Sequence, residues 1–452
     1  MYLVAGLGVT GHSVLQYLQL NKEKALAFDT REGFDCSGLK AQFPDVDFAT
    51  GQIPKKWLSK ITTVVLSPGI CVREPWVQSF MAKGIQVVGD IELFARAVGV
   101  PVVAITGSNG KSTVTTLVGM ALEEAGYSVG VGGNIGVPAL DLLSDDNEYE
   151  VYVLELSSFQ LETTYSLHTI SSALLNLSED HMDRYDDMNA YLQAKLNVYN
   201  DTALAVCPFD LECDALRLKH HRKFALCRSK HFDEYGVVET RKGNYLARGG
   251  TPLVSIESMF LQGKHHQLNA LSMMALCEPF RIPPKVFESV LRRFKGLPHR
   301  TQEVAHQNSI RWINDSKGTN VGATLTAMES IGSQMDGKLL LIAGGVGKEA
   351  EFEALAPAVE AFCSQVVLFG ADRGVIAKTL LEKQPSAPVT EFETLKEAID
   401  FAHDHAQSGD VVLFSPACAS FDQFKNYEHR GGCFTRWVND LYAKKGESQH
   451  EG

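Results

Sequence analysis

The chain has 452 residues, too many for one ordinary hydrophobic core, so two or three domains are expected. Its composition, 45% hydrophobic and 21% charged, is that of a globular protein, and its net charge of −12 argues against a nucleic-acid-binding surface. The first residues lack a basic segment before an apolar run, and no apolar run approaches the ~18–20 residues that span a bilayer. The nine cysteines include no CxxC pair. We therefore expect a cytoplasmic protein with reduced thiols and no zinc site.

Three short β-branched runs, each followed by glycines and a helical pattern, begin near residues 2, 101 and 338. This is the strand-loop-helix unit of α/β folds, and three such domains in series fit the length. Glycine and proline residues that interrupt the strand and helix patterns predict domains at residues 1–91, 92–297 and 298–452. Residues 200–260 are weakly patterned and are predicted to be strands and loops of the middle domain.

A GxGxxG pattern, formed by Gly6, Gly8 and Gly11, follows the first predicted strand, and Asp29 ends the second. In dinucleotide-binding folds such glycines approach a pyrophosphate, and an acid at about this distance binds the ribose. The pattern by itself leaves open an NAD site, a site for another phosphorylated nucleotide, or a tight packing turn.

The stretch PVVAITGSNGKSTVTTL, residues 101–117, predicts a strand, a glycine turn and a helix. The standard phosphate loop, GxxxxGK[ST], would need a glycine where Ile105 stands. A loop at a helix N-terminus nevertheless favours an anion. Lys111 would reach the terminal phosphates and Ser112 would bind Mg²⁺. The alternative is a tight turn with a surface lysine.

Polar residues follow the next predicted strands. Glu155 ends one of them, and Asp180, His181 and Asp183 follow another. Because loops at the carboxyl ends of parallel strands bind ligands, these residues predict a divalent-metal site. The alternatives are a glutamate at an exposed strand end and aspartates that cap helices. Lys195 has the pattern of an ordinary helical lysine.

Further polar residues lie near the second domain boundary and beyond it. Asn269 opens an apolar helical pattern and is either a ligand-binding residue or an N-cap. Arg300 is either a phosphate clamp or part of an ion pair. The loops that follow predicted strands of the third domain suggest a second-substrate site, and they contain Asp315, Ser316, Lys317, Thr319, Lys348, Ser415 and Phe421.

These motifs resemble those of the Mur ligase family, and within it the branch that adds D-glutamate. The resemblance covers nearly the whole chain, and the family's ATP loop has the shorter form GxxGK[ST], which accounts for Ile105. In chain order the motifs are GLGVTG, DTRE, SPGI, GDIELF, GSNGKST, GNIG, ELSSFQLE, EDHMDRY, AKLNVY, HHQLNA, GLPHR, NDSKGTN, GGVGK and SPACASFDQF.

The resemblance implies a Rossmann-like UDP-binding domain, a central P-loop ATPase-type α/β domain, and a Rossmann-like C-terminal domain that closes over ATP and binds D-glutamate. It implies a monomeric ligase that joins D-glutamate to UDP-N-acetylmuramoyl-L-alanine through an acyl phosphate. Such a ligase would serve peptidoglycan precursor synthesis in the cytoplasm, and through it cell shape and cell division. The alternative is another Mur ligase or a folylpolyglutamate-synthase-like ligase, although the latter lacks the first domain.

The resemblance also assigns residues to each ligand. ATP would be bound by Gly107, Ser108, Asn109, Gly110, Lys111, Ser112, Thr113, Asn269, Arg300, Asp315 and Lys317. The UDP substrate would be bound by Gly8, Val9, Thr10, Asp29, Thr30, Arg31, Ser67, Gly69 and Asn134. D-glutamate would be bound by Thr319, Lys348, Ser415 and Phe421. Two Mg²⁺ ions would be held by Ser112, Glu155, His181 and a carbamate on Lys195, and Lys111, His181 and Lys195 would be catalytic.

Two points stay open at this level. Val346 in GGVGK stands where related sequences often have an acidic residue, which puts in doubt any charge pairing of Lys348. The pattern also does not tell which of Glu179, Asp180 and Asp183 contacts metal.

Overall fold

The computed structural model describes residues 1–144, 147–211, 218, 220–226, 231–333, 335, 337–348, 350–383 and 386–447. Within these residues the strands form three sheets flanked by helices, which confirms the predicted α/β class with three successive sheets. The domain limits at 91/92 and 297/298 stay a prediction. Two compact units are distinguished, one of Met1–Leu177, Asn189–Gln262 and His266–Phe294, the other of Ser178–Met188, Gly263–His265 and Lys295–Gly452.

The first sheet is entirely parallel, as expected for strands that are covered by helices on both faces. The elements of this part are β1 (Tyr2–Ala5), α1 (Val9–Leu20), β2 (Ala25–Asp29), α2 (Ser37–Gln42), β3 (Asp47–Thr50), β4 (Thr63–Leu66), α3 (Pro75–Ala82), β5 (Gln86–Val88) and α4 (Asp90–Ala97). The strand order is β3-β2-β1-β4-β5, that of a Rossmann-like half.

The second sheet is parallel from β7 to β12 and antiparallel at its far edge, in the order β14-β13-β12-β11-β10-β9-β6-β8-β7. Its helices and strands are β6 (Val102–Thr106), α5 (Lys111–Glu124), β7 (Val129–Gly133), α6 (Ala139–Leu143), β8 (Val151–Glu155), α7 (Ser158–Leu161), β9 (Ser171–Leu174), α8 (Met188–Leu196), β10 (Ala205–Pro208), β11 (His221–Phe224), β12 (Glu234–Thr240), β13 (Gly243–Arg248), β14 (Thr251–Ser255), α9 (Lys264–Leu276) and α10 (Pro284–Arg293). The strands predicted between residues 200 and 260 are thus confirmed.

The third sheet has the order β15-β16-β20-β17-β18-β19, and β15 is its antiparallel edge strand. Its elements are β15 (Gln302–Gln307), β16 (Ile310–Asn314), α11 (Val321–Gly332), β17 (Leu339–Gly344), α12 (Ala356–Phe362), β18 (Cys363–Phe369), α13 (Arg373–Glu382), β19 (Val389–Phe392), α14 (Leu395–His405), β20 (Val411–Phe414) and α15 (Tyr427–Glu447). Short 3₁₀ helices occur along the chain at Lys55–Trp57, Asn197–Tyr199, Ile256–Ser258, Glu278–Phe280 and Glu353–Leu355.

The first two sheets share one hydrophobic core within the first unit. Leu15 of α1, Phe94 of α4 and Leu154 of β8 belong to the same buried cluster, and the ring of Phe94 meets that of Tyr152 edge-on at 5.2 Å. Helix α4 therefore packs directly beside the strand that ends in Glu155. None of the described helices combines the length and the apolarity that a bilayer crossing requires.

Candidate active site

The GxGxxG loop turns tightly after β1. Gly6 has a φ of +89°, and a Cβ on Gly11 would lie 2.0 Å from the Gly6 carbonyl oxygen. Helix α1 begins at Val9 directly after this turn, and the N-terminus of a helix favours an anion. Val9 is 75% exposed at the tip of the loop. The turn thus has the shape for close approach of a ligand, and it also packs the helix against the strand.

Asp29 braces this loop from the end of β2. Its carboxylate accepts hydrogen bonds from the Leu7 N–H at 2.9 Å and from the Arg31 guanidinium at 2.8 and 2.9 Å. Burial raises the pKa of Asp29, but the hydrogen bonds from Arg31 and Leu7 outweigh burial and lower the pKa to about 2. Both carboxylate oxygens are therefore engaged within the loop, whereas Thr30 and Arg31 are exposed beside it.

Two other residues predicted to bind the UDP substrate follow β4. Ser67 lies against the glycine loop, because a Cβ on Gly6 would approach the Ser67 Cβ to 2.6 Å. Gly69 is exposed two residues further on. These residues and the GxGxxG turn lie at the carboxyl ends of neighbouring parallel strands, β1 and β4, where α/β sheets bind ligands.

The predicted phosphate loop joins β6 to α5. Gly107 and Gly110 have φ values of +149° and +82°, which residues with a side chain rarely adopt. Asn176 holds the loop by two hydrogen bonds to Asn109. Its side-chain oxygen accepts from the Asn109 N–H at 2.8 Å, and its side-chain amide donates to the Asn109 carbonyl at 2.9 Å. The 14-residue helix α5 follows at once, so the loop has the geometry of an anion cradle.

Two lysines converge on one carbonyl of this loop. The Lys111 ammonium donates to the carbonyl oxygens of Gly107 and Ser108, both at 2.9 Å, and the Lys195 ammonium donates to the same Gly107 oxygen at 2.8 Å. Lys195 is only 1% exposed and lies 4.4 Å from the ring centre of Tyr191. It lies on helix α8 as predicted, but it is not an ordinary exposed helical lysine.

Glu155 lies beside the loop at the end of β8 and is 1% exposed, so the alternative of an exposed strand end is wrong. Its carboxylate accepts from the Ser112 hydroxyl at 2.5 Å and from the Asn134 side-chain amide at 2.8 Å. A carboxylate and a hydroxyl are hard oxygen donors of the kind that Mg²⁺ prefers. Among the described residues no group of three His, Cys, Asp or Glu side chains is arranged to hold a metal, so Mg²⁺ here would also need phosphate or water ligands.

Asn269 faces the phosphate loop from helix α9. It is the sixth residue of that helix, so the N-cap alternative is wrong. Its side-chain oxygen would lie 2.7 Å from a Cβ on Gly110, so packing and the positive φ of Gly110 both favour glycine at that position. Thr113, in the first turn of α5, is 8% exposed.

In the second unit, Asp180 connects residues of three loops. The Lys348 ammonium donates to one Asp180 oxygen at 2.6 Å, and the Asn320 amide donates to the other at 3.2 Å. Burial raises the pKa of Asp180, but Lys348 and His181 outweigh it and lower the pKa to about 2. Lys348 therefore has a carboxylate partner although Val346 is apolar. His181 belongs to this unit, while Ser112, Glu155 and Lys195 belong to the first, and its role as a metal ligand stays a prediction.

The NDSKGTN loop after β16 is organised around a buried carboxylate. Asp315 accepts from the Ser415 hydroxyl at 2.6 Å and from the Thr301 N–H at 3.0 Å. Ser415 is fully buried, and its hydroxyl oxygen also lies 3.0 Å from the Thr324 hydroxyl oxygen. The Lys317 ammonium lies 4.0 Å from the ring centre of Tyr427.

Three further predicted residues are less enclosed. Thr319 and Arg300 are half-buried, and the positive charge of Arg300 acts on Asp315. Phe421 is 73% exposed. Burial thus separates Ser415, which is fully enclosed, from Phe421, which stands in solvent, so these two predicted D-glutamate residues differ sharply in setting.

Sequence reasoning missed several residues that shape these sites. Asn176 is the second residue after β9, so the rule that strand ends carry ligand-binding residues could have found it. Arg430 is fully buried and donates to the Ser316 and Cys418 carbonyls at 2.8 and 3.0 Å, tying two loops together. The surrounding residues, YEHRG, give no signal for this burial, since arginine is usually exposed.

The buried Asp315 predicts a pH dependence of stability. Burial raises its pKa to about 6 although the Ser415 hydroxyl, the Thr301 N–H and Arg300 lower it. Since the unfolded value is about 3.9, folding takes up a proton between these values, and this group makes the fold less stable as the pH rises from about 4 to about 6. As the pH rises from 4 to 7, the free energy of unfolding of the unmodified protein should fall by about 2–3 kcal/mol relative to that of Asp315→Asn, which has no carboxyl group to ionise at this position.

The measurement is urea unfolding at both pH values, with Asp45→Asn at an exposed position as the control. Parallel stability profiles for Asp315→Asn and the unmodified protein would contradict the prediction.

Comparison with known proteins covers the whole length. The Mur ligase MurD-like N-terminal domain matches residues 1–89, the Mur ligase middle domain residues 105–277, and the Mur ligase glutamate ligase domain residues 299–418. A curated relative from Hydrogenovibrio crunogenus, named UDP-N-acetylmuramoylalanine–D-glutamate ligase, is 56% identical over 448 residues, which are 98% of this chain and 99% of the relative.

Other relatives agree. A protein of the same name from Legionella pneumophila is 43% identical over 449 residues, again 98% and 99% of the two chains. The MurF ligase of Thermotoga maritima, solved in complex with ADP, has a TM-score of 0.62 at 15% identity and covers 99% of this chain and 95% of its own, which shows a shared fold. The chain belongs to the Mur ligase family.

Proposed function

We propose that the protein joins D-glutamate to UDP-N-acetylmuramoyl-L-alanine in an ATP-dependent reaction of peptidoglycan precursor synthesis. The observation that carries this function is the buried Glu155–Ser112 pair beside the short phosphate loop, in a chain whose full-length relatives have this activity in their name. A phosphate loop with a carboxylate at the neighbouring strand end is suited to ATP chemistry. The reaction serves cell-wall growth, and hence cell shape and division.

The chemistry follows from the poor reactivity of a carboxylate as an acyl donor. The alanyl carboxylate attacks the γ-phosphorus of ATP, giving an acyl phosphate and ADP. The amine of D-glutamate then attacks the acyl carbon, and phosphate leaves as the amide forms. Negative charge accumulates on phosphoryl oxygens in the first step, and the Lys111 ammonium and the N–H groups of residues 107–113 are placed to offset it.

Mg²⁺ fits the donor set of the first unit. Ser112 and Glu155 would hold one ion together with ATP phosphates, and bound Mg²⁺ would withdraw electron density from the phosphoryl oxygens. The Ser112 hydroxyl donates its hydrogen to Glu155 and keeps its oxygen lone pairs, one of which could bind the ion. The assignment of His181 and Lys195 to a second ion is part of this proposal.

We further propose that Lys195 carries a carbamate. The Lys195 ammonium would lose one proton to become an amine, and the amine nitrogen would then bond to the carbon of CO₂ and lose a second proton. A cation thus becomes an anion with oxygen donors. The position of the side chain supports this, since Lys195 is 1% exposed and its nitrogen lies 2.8 Å from the Gly107 carbonyl oxygen of the phosphate loop, beside which a phosphate-bound cation would lie. A carbamate oxygen on this long side chain would suit Mg²⁺ better than an ammonium.

The binding roles of the other residues are proposed on the same basis. The exposed loop residues Gly8, Val9, Thr30, Arg31 and Gly69 are available to the UDP group, together with Thr10, Ser67 and Asn134, and Asp29 would act by bracing the loop. Asn269, Arg300, Asp315 and Lys317 would bind ATP.

For D-glutamate, whose two carboxylates call for a cation, Lys348 is the strongest candidate, because Asp180 already holds its ammonium in place. Thr319 and Phe421 would line the same ligand, whereas the enclosed Ser415 would act through Asp315. A monomeric cytoplasmic enzyme with domains at 1–91, 92–297 and 298–452 completes the proposal.

The decisive assay follows phosphate release from ATP. We expect release to require both UDP-N-acetylmuramoyl-L-alanine and D-glutamate, because each supplies one half of the amide. L-glutamate, which has the same groups with the opposite configuration, is the control for D-glutamate. A folate, which also offers a carboxylate, is the control for UDP-N-acetylmuramoyl-L-alanine. Equal turnover with either control would overturn the assignment.

The carbamate gives a separate prediction. Lys195→Arg keeps the positive charge but cannot form a carbamate, so we expect activity to fall at least about 100-fold, in the range seen when an electrostatic catalytic group is lost. A ¹³C NMR signal from added ¹³C-bicarbonate should be present in the unmodified protein and absent in the variant. Lys285→Arg, at an exposed lysine of α10, is the control. Full activity of Lys195→Arg would rule the carbamate out.

A further inference from the structure

The GDIELF segment has no part in the chemistry above, yet two of its acidic side chains are buried. Asp90 is 4% exposed and Glu92 is 2% exposed, both in the first turn of α4. Buried carboxylates are unfavourable unless hydrogen bonds hold them. Their side-chain partners outside α4 all lie in one short stretch, residues 157–166, which follows Glu155.

The link from Asp90 runs through Gln160. The Gln160 amide nitrogen donates to the Asp90 carboxylate at 3.1 Å, and the Gln160 side-chain oxygen accepts from the Ser157 N–H at 3.1 Å. Ser157 in turn accepts from the Gln160 N–H at 3.2 Å, which closes a capping box at the start of α7. Gln160 is 3% exposed, so both ends of its amide are fixed by protein partners.

This chain of bonds ends two residues from the carboxylate beside the phosphate loop. Leu156, between Glu155 and Ser157, donates its N–H to the Ile105 carbonyl at 2.8 Å, and the Glu155 carbonyl accepts from the Asn134 N–H at 2.8 Å. The end of β8 is thus held on its flanks by β6 and by the residue after β7. The capping box holds it from the chain that follows.

A close backbone approach accompanies the side-chain link. The Gly89 N–H donates to the Thr163 carbonyl at 3.0 Å, and a Cβ on Gly89 would lie 2.4 Å from the Thr163 hydroxyl. The start of α4 and the segment after α7 therefore fit together without room for a side chain. A small displacement of either one would be felt by the other, because packed interiors do not deform smoothly.

We propose that Asp90 and Gln160 are positioning residues, which fix the turn after β8 and through it the orientation of the Glu155 carboxylate for binding Mg²⁺ and nucleotide. The inference rests on the proposed function of Glu155 and adds to it two residues that act through the turn after β8. It gives GDIELF a role in the reaction, exerted through Gln160.

The two partners can be exchanged chemically. One Asp90 oxygen accepts from Gln160, and the other has no hydrogen-bond partner among the described residues. Asp90→Asn keeps an acceptor oxygen toward Gln160. Gln160→Glu instead removes the N–H donor and sets a second carboxylate against Asp90. The comparison is made at pH 9, well above the pKa of about 6 to which burial raises Asp90, so that a shared proton does not rejoin the two groups. With both substitutions, the amide introduced at position 90 donates to the carboxylate introduced at position 160, so the bond is restored with its direction reversed.

The experiment measures ADP binding by calorimetry in the presence of Mg²⁺, together with thermal unfolding, on the full chain. We expect Gln160→Glu to weaken ADP binding about tenfold, a usual size for coupling between contacting residues. The double variant should return to within about threefold of the unmodified protein. Asp90→Asn alone should also bind within about threefold, because it keeps the acceptor toward Gln160. If Gln160→Glu fails to fold, Gln160→Met takes its place, since it removes the N–H donor without adding a charge, and the same tenfold weakening is expected.

Ser166→Ala is the matched control, because it removes a hydrogen bond to Glu92 in the same contact but outside the Asp90–Gln160–Ser157 chain. It should lower the unfolding temperature and leave ADP affinity unchanged. Unaltered affinity in Gln160→Glu, no recovery in the double variant, or an equal loss in Ser166→Ala would each overturn the proposal. Failure of the proposed function would look different: the unmodified protein would bind ADP with Mg²⁺ and form no product from D-glutamate.

Discussion

The arrangement of the first unit depends on one buried carboxylate. Glu155 ends β8, the strand between β6 and β7, so the phosphate loop stands on one side of it and Asn134 on the other. Its two oxygens accept hydrogen bonds from Ser112 and Asn134, so the same carboxylate holds both the start of α5 and the turn after β7. A carboxylate that is 1% exposed needs such partners, and the same partners place it where a phosphate-bound cation would be.

In the second unit, the loops at the strand ends hold strained backbone. His181, His299, Thr301, Lys348 and Ala417 all have positive φ values, which side chains tolerate poorly. Such residues persist where the surrounding contacts over-determine the loop, and they concentrate at functional sites. Here the contacts are visible: the Asp180–Lys348 ion pair joins the loops of His181 and Lys348, and Arg430 binds the carbonyl of Cys418, next to Ala417, and that of Ser316. The loops predicted to bind ATP and D-glutamate are therefore preorganised by buried charge.

Much of this could be read from the sequence, for identifiable reasons. The β-branched runs followed by glycines and a helical pattern predicted β1, β6 and β17. The rule that ligands bind at strand ends selected the loop before Lys111 and also Glu155. Resemblance to the family supplied the roles of the residues. What could not be read were contacts made across long separations: Lys348 meets Asp180 from 168 positions away, and nothing local signals it. The burial of Lys195 also escaped, because its helix has no distinct apolar face to show which side is inside, and Gln160 was missed because its partner lies 70 positions earlier.

The central claim is that this site activates a carboxylate by transferring a phosphoryl group to it. The most direct measurement uses UDP-N-acetylmuramoyl-L-alanine labelled with ¹⁸O in both oxygens of its alanyl carboxylate, followed by mass analysis of the phosphate released with D-glutamate and ATP. An acyl phosphate leaves one labelled oxygen in the phosphate and the other in the amide product. Phosphate free of label, formed at the same rate as the amide, would contradict the account.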